Sequence, residues 1–202
     1  MRGLARALTA ALVWAILAGF SAPQIAAVDA LLQSVGERLA LAEPVARAKW
    51  NSGAAVDDPE REAELLASVP PGLPRDFVRA QIEANKDIQR ALLRSYFGQG
   101  RFPDTDLGRI RPKITAITAR IVEQLQAVEP LVGQDGFAAL LKERAKVILP
   151  DVPFEVRDRA LAPLLEQQLQ KVEGHRGGGQ GRRLAGGVVG WGQLHDVGAD
   201  HR

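Results

Sequence analysis

The chain has 202 residues, of which 26 are Lys or Arg and 24 are Asp or Glu, with no cysteine and three histidines. The basic excess lies at the two ends: residues 28–170 hold 19 basic and 21 acidic side chains, so the body gives no sign of nucleic acid binding. Without cysteine the chain forms no disulfide. All three histidines lie beyond residue 174, so the body has neither histidine nor cysteine, which argues against a zinc site, a serine triad or a cysteine nucleophile there.

The N-terminal residues are typical of an export signal. Arg2 and Arg6 precede a mostly apolar run over 7–20, and small residues follow as far as Ala27. Because this run is shorter than the roughly 20 residues that cross a bilayer, a cleaved signal peptide over 1–27 is favoured over a membrane anchor. We therefore expect a periplasmic or secreted protein that has no stable membrane association after cleavage.

The body of the chain, residues 28–172, predicts an all-α fold of about six helices. Apolar residues recur with the helical period and no stretch alternates with a period of two, so we expect no sheet. The predicted helices cover 28–50, 59–69, 74–97, 113–128, 134–149 and 153–170. Pro44 lies inside the first of them and leaves two outcomes open, a kink or a break into two helices; we favour one kinked helix.

The end of the chain has a different composition. From Glu173 onward it is rich in glycine and has no apolar periodicity. Such a segment cannot bury enough apolar surface to offset the entropy of ordering it. We predict that 173–202 is a disordered tail outside the helical domain.

Polar residues in the first three predicted helices are spaced to face one another. Arg38 and Lys49 are 11 residues apart, or about three helical turns, and therefore share a face of one helix. Asn85 and Gln89, four residues apart, share a face of another. Asp58 begins the helix between them. Cations and amides at inward positions fit a small anion with more than one negative charge.

The segment VGERLALAEPVARAKWNSGAAVDDPEREAELL, followed by QIEANKDIQRALL, resembles the AroQ class of chorismate mutases, and more narrowly its secreted, periplasmic gamma subclass. The resemblance implies an AroQ-type helical bundle. It also implies an isomerase that converts chorismate to prephenate, a step of the shikimate pathway to aromatic amino acids. This rearrangement is pericyclic and needs no proton transfer, nucleophile, metal or cofactor, which agrees with a body that lacks histidine and cysteine.

The resemblance implies the catalytic residues. Arg38 would bind a carboxylate of chorismate through its planar guanidinium. Lys49 would contact a carboxylate and the ether oxygen. Gln89 would donate a hydrogen bond to the same ether oxygen, where charge develops as the carbon–oxygen bond breaks.

Five further substrate-binding residues follow from the resemblance. Asp58 and Glu62 would hold the hydroxyl of chorismate, and Arg61 belongs to the same Asp-x-x-Arg-Glu element. Asn85 replaces a small hydroxyl-bearing residue common in the family and would lie near a carboxylate. Arg111 matches an arginine that the secreted subclass uses in place of one from a neighbouring subunit, so one chain would complete the pocket.

Two alternatives stay open. Taken singly, each of these polar residues is more often a solvated charge or a helix cap than part of a site. A second class of function also fits, namely a helical periplasmic binding or adaptor protein that keeps the fold without turnover. The conjunction of spacings favours the enzyme. Arg111 is the least secure assignment, because the KITAITARI that follows Pro112 departs from the family pattern. Both a monomer and a homodimer are compatible with the sequence.

Overall fold

The computed structural model describes residues 19–103 and 106–177; the start of the predicted signal peptide and most of the predicted tail lie outside these ranges. Within them the chain forms α-helices and no strands, which confirms the all-α prediction. The helices are α1 (Ala22–Ala40), α2 (Ala42–Ser52), α3 (Pro59–Ala67), α4 (Leu73–Ser95), α5 (Leu107–Val128), α6 (Phe137–Ile148) and α7 (Phe154–Gly177). A short 3₁₀ turn, Glu129–Leu131, follows α5.

The predicted first helix is two helices. The N–H of Leu41 donates to the carbonyls of Arg38 and Leu39 and ends α1, and α2 begins one residue later. In a continuous helix the N–H of residue 44 would donate to the carbonyl of Ala40. Pro44 has no N–H, so this hydrogen bond is absent, and the helix breaks next to it. The prediction of one kinked helix is therefore wrong here. With α1 and α2 counted as one interrupted helix, the number of helices is the predicted six.

The start of α5 also differs from the prediction. The helix begins at Leu107, before Pro112, since the carboxylate of Asp106 accepts a hydrogen bond from the N–H of Gly108 at 2.8 Å and caps the first turn. Pro112 then lies inside α5, and the helix continues through it. As a result Arg111 projects from a helix, not from the preceding loop.

Two apolar clusters hold the helices together. The main cluster joins α1, α4, α5, α6 and α7, with Phe77 and Phe137 fully buried in it. The smaller cluster packs Leu65 of α3 against Val78 and Ile82 of α4. Each large apolar side chain buried in this way stabilises the fold by about 1.5–3 kcal/mol. The polar residues of α1 and α4 thus lie on helices that the main cluster holds in place, whereas α3 is attached through the smaller cluster.

The two ends of the described region extend beyond the predicted domain. Helix α1 begins within the predicted signal peptide, and Phe20, just before it, is buried in the main cluster. Helix α7 continues to Gly177, five residues into the predicted tail. No helix in the described part of the chain is long and apolar enough to cross a membrane.

Candidate active site

A cavity lies among α1, α2, α3, α4 and the start of α5, and every residue predicted for the site lines it. These residues are Arg38, Lys49, Asp58, Arg61, Glu62, Asn85, Gln89 and Arg111. Apolar side chains, among them Val45, Ile82 and Ile114, complete the wall. The break between α1 and α2 did not separate Arg38 from Lys49. The structure thus brings all eight predicted side chains to one cavity.

Arg38 is a buried cation held by neutral groups. Its side chain donates from Nε to the hydroxyl of Thr118 at 3.3 Å and from a terminal nitrogen to the carbonyl of Gln81 at 3.3 Å. Among the described residues no carboxylate forms an ion pair with it, and the residue is only 3% exposed. Burial lowers the pKa of Arg38 to about 10, so the group is still cationic at neutral pH. A buried charge without a partner is costly, and an anion in the cavity would relieve that cost.

Lys49 is the second buried cation. Its ammonium donates to the carbonyl of Val56, in the loop between α2 and α3, and within the described residues it forms no ion pair. Burial lowers the pKa of Lys49, and the nearby carboxylates of Asp58, Glu62 and Asp57 oppose that shift. Lys49 therefore points a fixed, poorly solvated positive charge into the cavity.

Two amides lie beside these cations. Asn85 donates from Nδ2 to the backbone carbonyl of Arg38 at 3.1 Å, and Gln89 donates from Nε2 to the Oδ1 of Asn85 at 2.7 Å. The Oε1 of Gln89 is buried and has no hydrogen-bond partner in the described part of the chain. Because an amide nitrogen has two N–H groups, Gln89 keeps one donor that the contact with Asn85 does not use.

The open side of the cavity is formed by the first turn of α3 and by α5. Asp58 caps α3, where its Oδ1 accepts from the N–H of Arg61 at 3.3 Å, and its Oδ2 pairs with Arg111 at 3.2 Å. The carboxylate of Glu62 accepts from the N–H of Asp58 at 3.3 Å. Arg61 pairs with Glu64 at 2.9 Å. Here the charges are already matched within the protein.

Lys86 was not predicted from the sequence. Its side chain lines the cavity and pairs with Glu83 at 2.7 Å, Asp57 at 3.1 Å and Glu62 at 3.2 Å. Burial lowers the pKa of Lys86, but the hydrogen bonds to Glu83, Asp57 and Glu62 outweigh burial and raise it above its ordinary value. Its inward position could have been predicted, because Lys86 shares a helix face with the apolar Ile82, four residues earlier.

Thr118 was also missed. Its hydroxyl donates to the carbonyl of Ile114 at 2.8 Å and accepts from Arg38 at 3.3 Å. It lies in the KITAITARI segment that departs from the family pattern. Thr118, on α5, therefore helps to fix the orientation of the Arg38 guanidinium.

Comparison with known proteins bears on the family of this chain. The family model described as chorismate mutase type II matches residues 23–90, which carry α1, α2, α3 and most of α4. A secreted chorismate mutase from Mycolicibacterium smegmatis is 30% identical over 139 residues, which are 60% of this chain and 77% of that protein. This chain belongs to the chorismate mutase family. The family and the enzyme class predicted from the sequence are thereby confirmed.

Solved chorismate mutases share the fold. The crystal structure of the chorismate mutase from Burkholderia thailandensis superposes with a TM-score of 0.63 at 29% identity, covering 68% of this chain and 98% of that one. The enzyme from Burkholderia phymatum gives a TM-score of 0.58 at 29% identity, covering 70% and 97%. Almost the whole length of both mutases is therefore matched by the helical body described above.

Proposed function

We propose that this chorismate mutase binds its substrate in the cavity between α1, α2, α3, α4 and α5 and rearranges it there to prephenate. The observation that carries the proposal is the pair of buried cations, Arg38 and Lys49, neither of which forms an ion pair with a carboxylate of the described residues. Chorismate is a dianion, and its two carboxylates supply the charge that these side chains lack. On binding, the two buried cations, which have no ion-pair partner in the described residues, would form charged hydrogen bonds with the carboxylates of chorismate.

In the rearrangement one carbon–oxygen bond breaks while one carbon–carbon bond forms within the same molecule. The protein has to hold the compact conformer and stabilise the negative charge that develops on the ether oxygen. We assign the ether oxygen to Lys49 and to the unused N–H of Gln89, and a carboxylate to Arg38. The fixed positions of these groups support the assignment, because such donors need no reorganisation as the bond breaks.

The mouth of the cavity would bind the rest of the substrate. Glu62 and Asp58 are oriented to accept a hydrogen bond from the hydroxyl, with Glu62 held by Lys86. Arg61 and Arg111 would approach a carboxylate after exchanging their present partners. All of these residues come from one chain, which supports a pocket that is complete without a neighbouring subunit. We therefore expect activity per chain to be independent of protein concentration, whether the protein is a monomer or a homodimer.

We also propose that the protein is exported. The M. smegmatis relative is named as a secreted enzyme, and the sequence before residue 20 is typical of a signal peptide. Phe20 is buried in the core and Ser21 precedes the first turn of α1. These contacts favour cleavage before Phe20 over cleavage after Ala27, and sequencing the N-terminus of the exported protein decides between them.

The function is tested by incubating the purified protein with chorismate and measuring both the loss of chorismate and the formation of prephenate. We expect saturable turnover, and we expect Arg38→Met to abolish most of it. The competing adaptor hypothesis gives a different result: chorismate would bind, as measured by calorimetry, without any prephenate being formed. That outcome, or the absence of both binding and turnover, would overturn the proposal.

A further inference from the structure

A chain of hydrogen bonds runs from the backbone of α1 to the proposed catalytic amide of α4. The carbonyl of Arg38 accepts from the Nδ2 of Asn85 at 3.1 Å, and the Oδ1 of Asn85 accepts from the Nε2 of Gln89 at 2.7 Å. Both amide side chains are buried, with Asn85 8% and Gln89 5% exposed. Any wrong orientation of either amide would therefore be costly.

The polarity of this chain is dictated from one end. A carbonyl oxygen can only accept, so the end of Asn85 that faces Arg38 must be its NH₂ group. The other end of Asn85, which faces Gln89, is then an oxygen and also only accepts. Gln89 must therefore direct its own NH₂ group toward Asn85, because its carbonyl oxygen in that place would put two acceptors next to each other. One backbone carbonyl thus sets the orientation of two side chains.

That carbonyl lies where α1 ends. The N–H of Leu41, in the turn between α1 and α2, also donates to it. Since a carbonyl oxygen has two lone pairs, it can accept from Leu41 and from Asn85 together. Asn85 therefore binds a carbonyl at the break between α1 and α2, close to Pro44.

We infer that Asn85 is a positioning residue that holds the amide of Gln89 with its NH₂ group available to the ether oxygen, and that Asn85 is not a ligand of a substrate carboxylate. The inference rests on the proposed function. Without Asn85 the amide of Gln89 could rotate and present its carbonyl to the developing negative charge, which would repel it. Each polar atom of Asn85 already has a protein partner and only its second N–H is left unused, which agrees with a role that acts through Gln89.

The first test separates positioning from binding. Asn85→Ser removes the bridge but keeps a small hydroxyl, and we expect kcat to fall about 10-fold with KM changed less than 2-fold. In a Gln89→Leu background the same substitution should cost almost nothing further, because the residue that it positions is gone. A rise in KM at constant kcat would show that Asn85 binds substrate and would overturn the inference. Equal losses of kcat in both backgrounds would also overturn it.

The second test uses pH. In Gln89→Glu the introduced carboxyl donates to the ether oxygen only when protonated, so activity is lost as pH rises through its pKa. The Oδ1 of Asn85 faces this carboxyl and repels its ionised form more than its neutral form, so it favours the protonated state, whose one O–H then donates to the ether oxygen. The hydroxyl of serine can donate as well. We therefore expect the activity of Gln89→Glu to persist to a pH about one unit higher than that of Asn85→Ser/Gln89→Glu. Identical pH midpoints would overturn the inference.

A measurement on the unmodified protein guards against variants that fail to fold. Side-chain amide exchange by NMR should show Gln89 protected relative to Gln126, which is exposed on α5. Equal exchange would mean that the bond to Asn85 is absent. If the unmodified protein forms no prephenate, the proposed function itself fails. If it is active while the Asn85 variants behave like the unmodified protein, only the inference fails.

Discussion

The cavity has two regions, which differ in whether their cationic side chains form ion pairs with carboxylates of the protein. The floor, formed by Arg38, Lys49, Asn85 and Gln89, is buried, and its cations donate to neutral oxygens. In the mouth, Asp58, Arg61, Glu62 and Arg111 are more exposed, and the arginines already pair with carboxylates. The side chain of Arg111 is 49% exposed, whereas Arg38 as a residue is 3% exposed.

This difference predicts where the binding free energy comes from. An anion that reaches the floor gains charged hydrogen bonds without displacing a protein carboxylate. An anion at the mouth has to replace an existing pair, and exposed pairs are worth only about 0–1 kcal/mol. We therefore expect floor substitutions to reduce activity far more than mouth substitutions.

The largest effect is expected for Lys49→Met. The substitution keeps much of the apolar stem and removes the charge that we assign to the ether oxygen. A charged hydrogen bond is worth about 1.5–3 kcal/mol, so kcat should fall roughly 10- to 150-fold. The loss should appear in kcat more than in KM, because the charge on the ether oxygen exists only in the transition state. Steady-state kinetics measure both constants.

Lys146→Met is the matched control, since Lys146 is exposed and pairs with Glu143 on α6. It should leave kcat unchanged. If Lys49→Met kept full turnover, Lys49 would not face the reacting bond.

Arg38→Met should have the next largest effect, on kcat/KM. It removes a carboxylate partner that both the ground state and the transition state use, so KM should rise, and the expected loss is again about 10- to 150-fold. The melting temperature should stay the same or rise, because the substitution also removes a buried charge that no described carboxylate neutralises. The exposed Arg120, which pairs with Glu37, gives the control variant Arg120→Met. A marked fall in melting temperature would show that Arg38 mainly supports the fold.

A smaller effect is expected for Arg111→Ala at the mouth. Arg111 pairs with Asp58 and in our proposal exchanges this partner for the ligand, so the substitution should remove only the difference between two similar interactions. We expect KM to rise roughly 2- to 5-fold with kcat nearly constant, in line with about 0.5–1 kcal/mol for an exposed pair. Raising the ionic strength should reduce the difference from the unmodified protein. A loss as large as that of Arg38→Met would place Arg111 on the floor in the bound state.

Local pattern in the sequence predicted the helices and the floor, but it did not predict the contacts that orient the floor. The 11-residue spacing of Arg38 and Lys49 survived the break at Leu41, since only one residue separates α1 from α2. Thr118 is 80 positions away from its partner, Arg38. No local period reports such a contact. The carboxylates around Lys86 likewise come from a loop and two helices.

The smallest effect concerns pH and separates the two regions once more. Between about pH 5 and 8 no group assigned to catalysis should change charge: Gln89 does not titrate, arginines stay charged, and chorismate stays a dianion. We expect kcat to vary less than 2-fold there. At alkaline pH the floor should respond first, because burial lowers the pKa of Lys49. Its charge, and with it activity, is lost as pH rises through that pKa.

The two kinetic constants should then diverge. The alkaline fall of kcat/KM reports the free enzyme, whereas that of kcat reports the complex, in which bound carboxylates raise the pKa of Lys49. The decline in kcat/KM should therefore begin at a lower pH than the decline in kcat. Arg111→Ala should move both limbs to a slightly higher pH, because the positive charge of Arg111 lowers the pKa of Lys49. A bell-shaped profile centred near neutrality would mean that a group outside both regions carries a proton in the rate-limiting step.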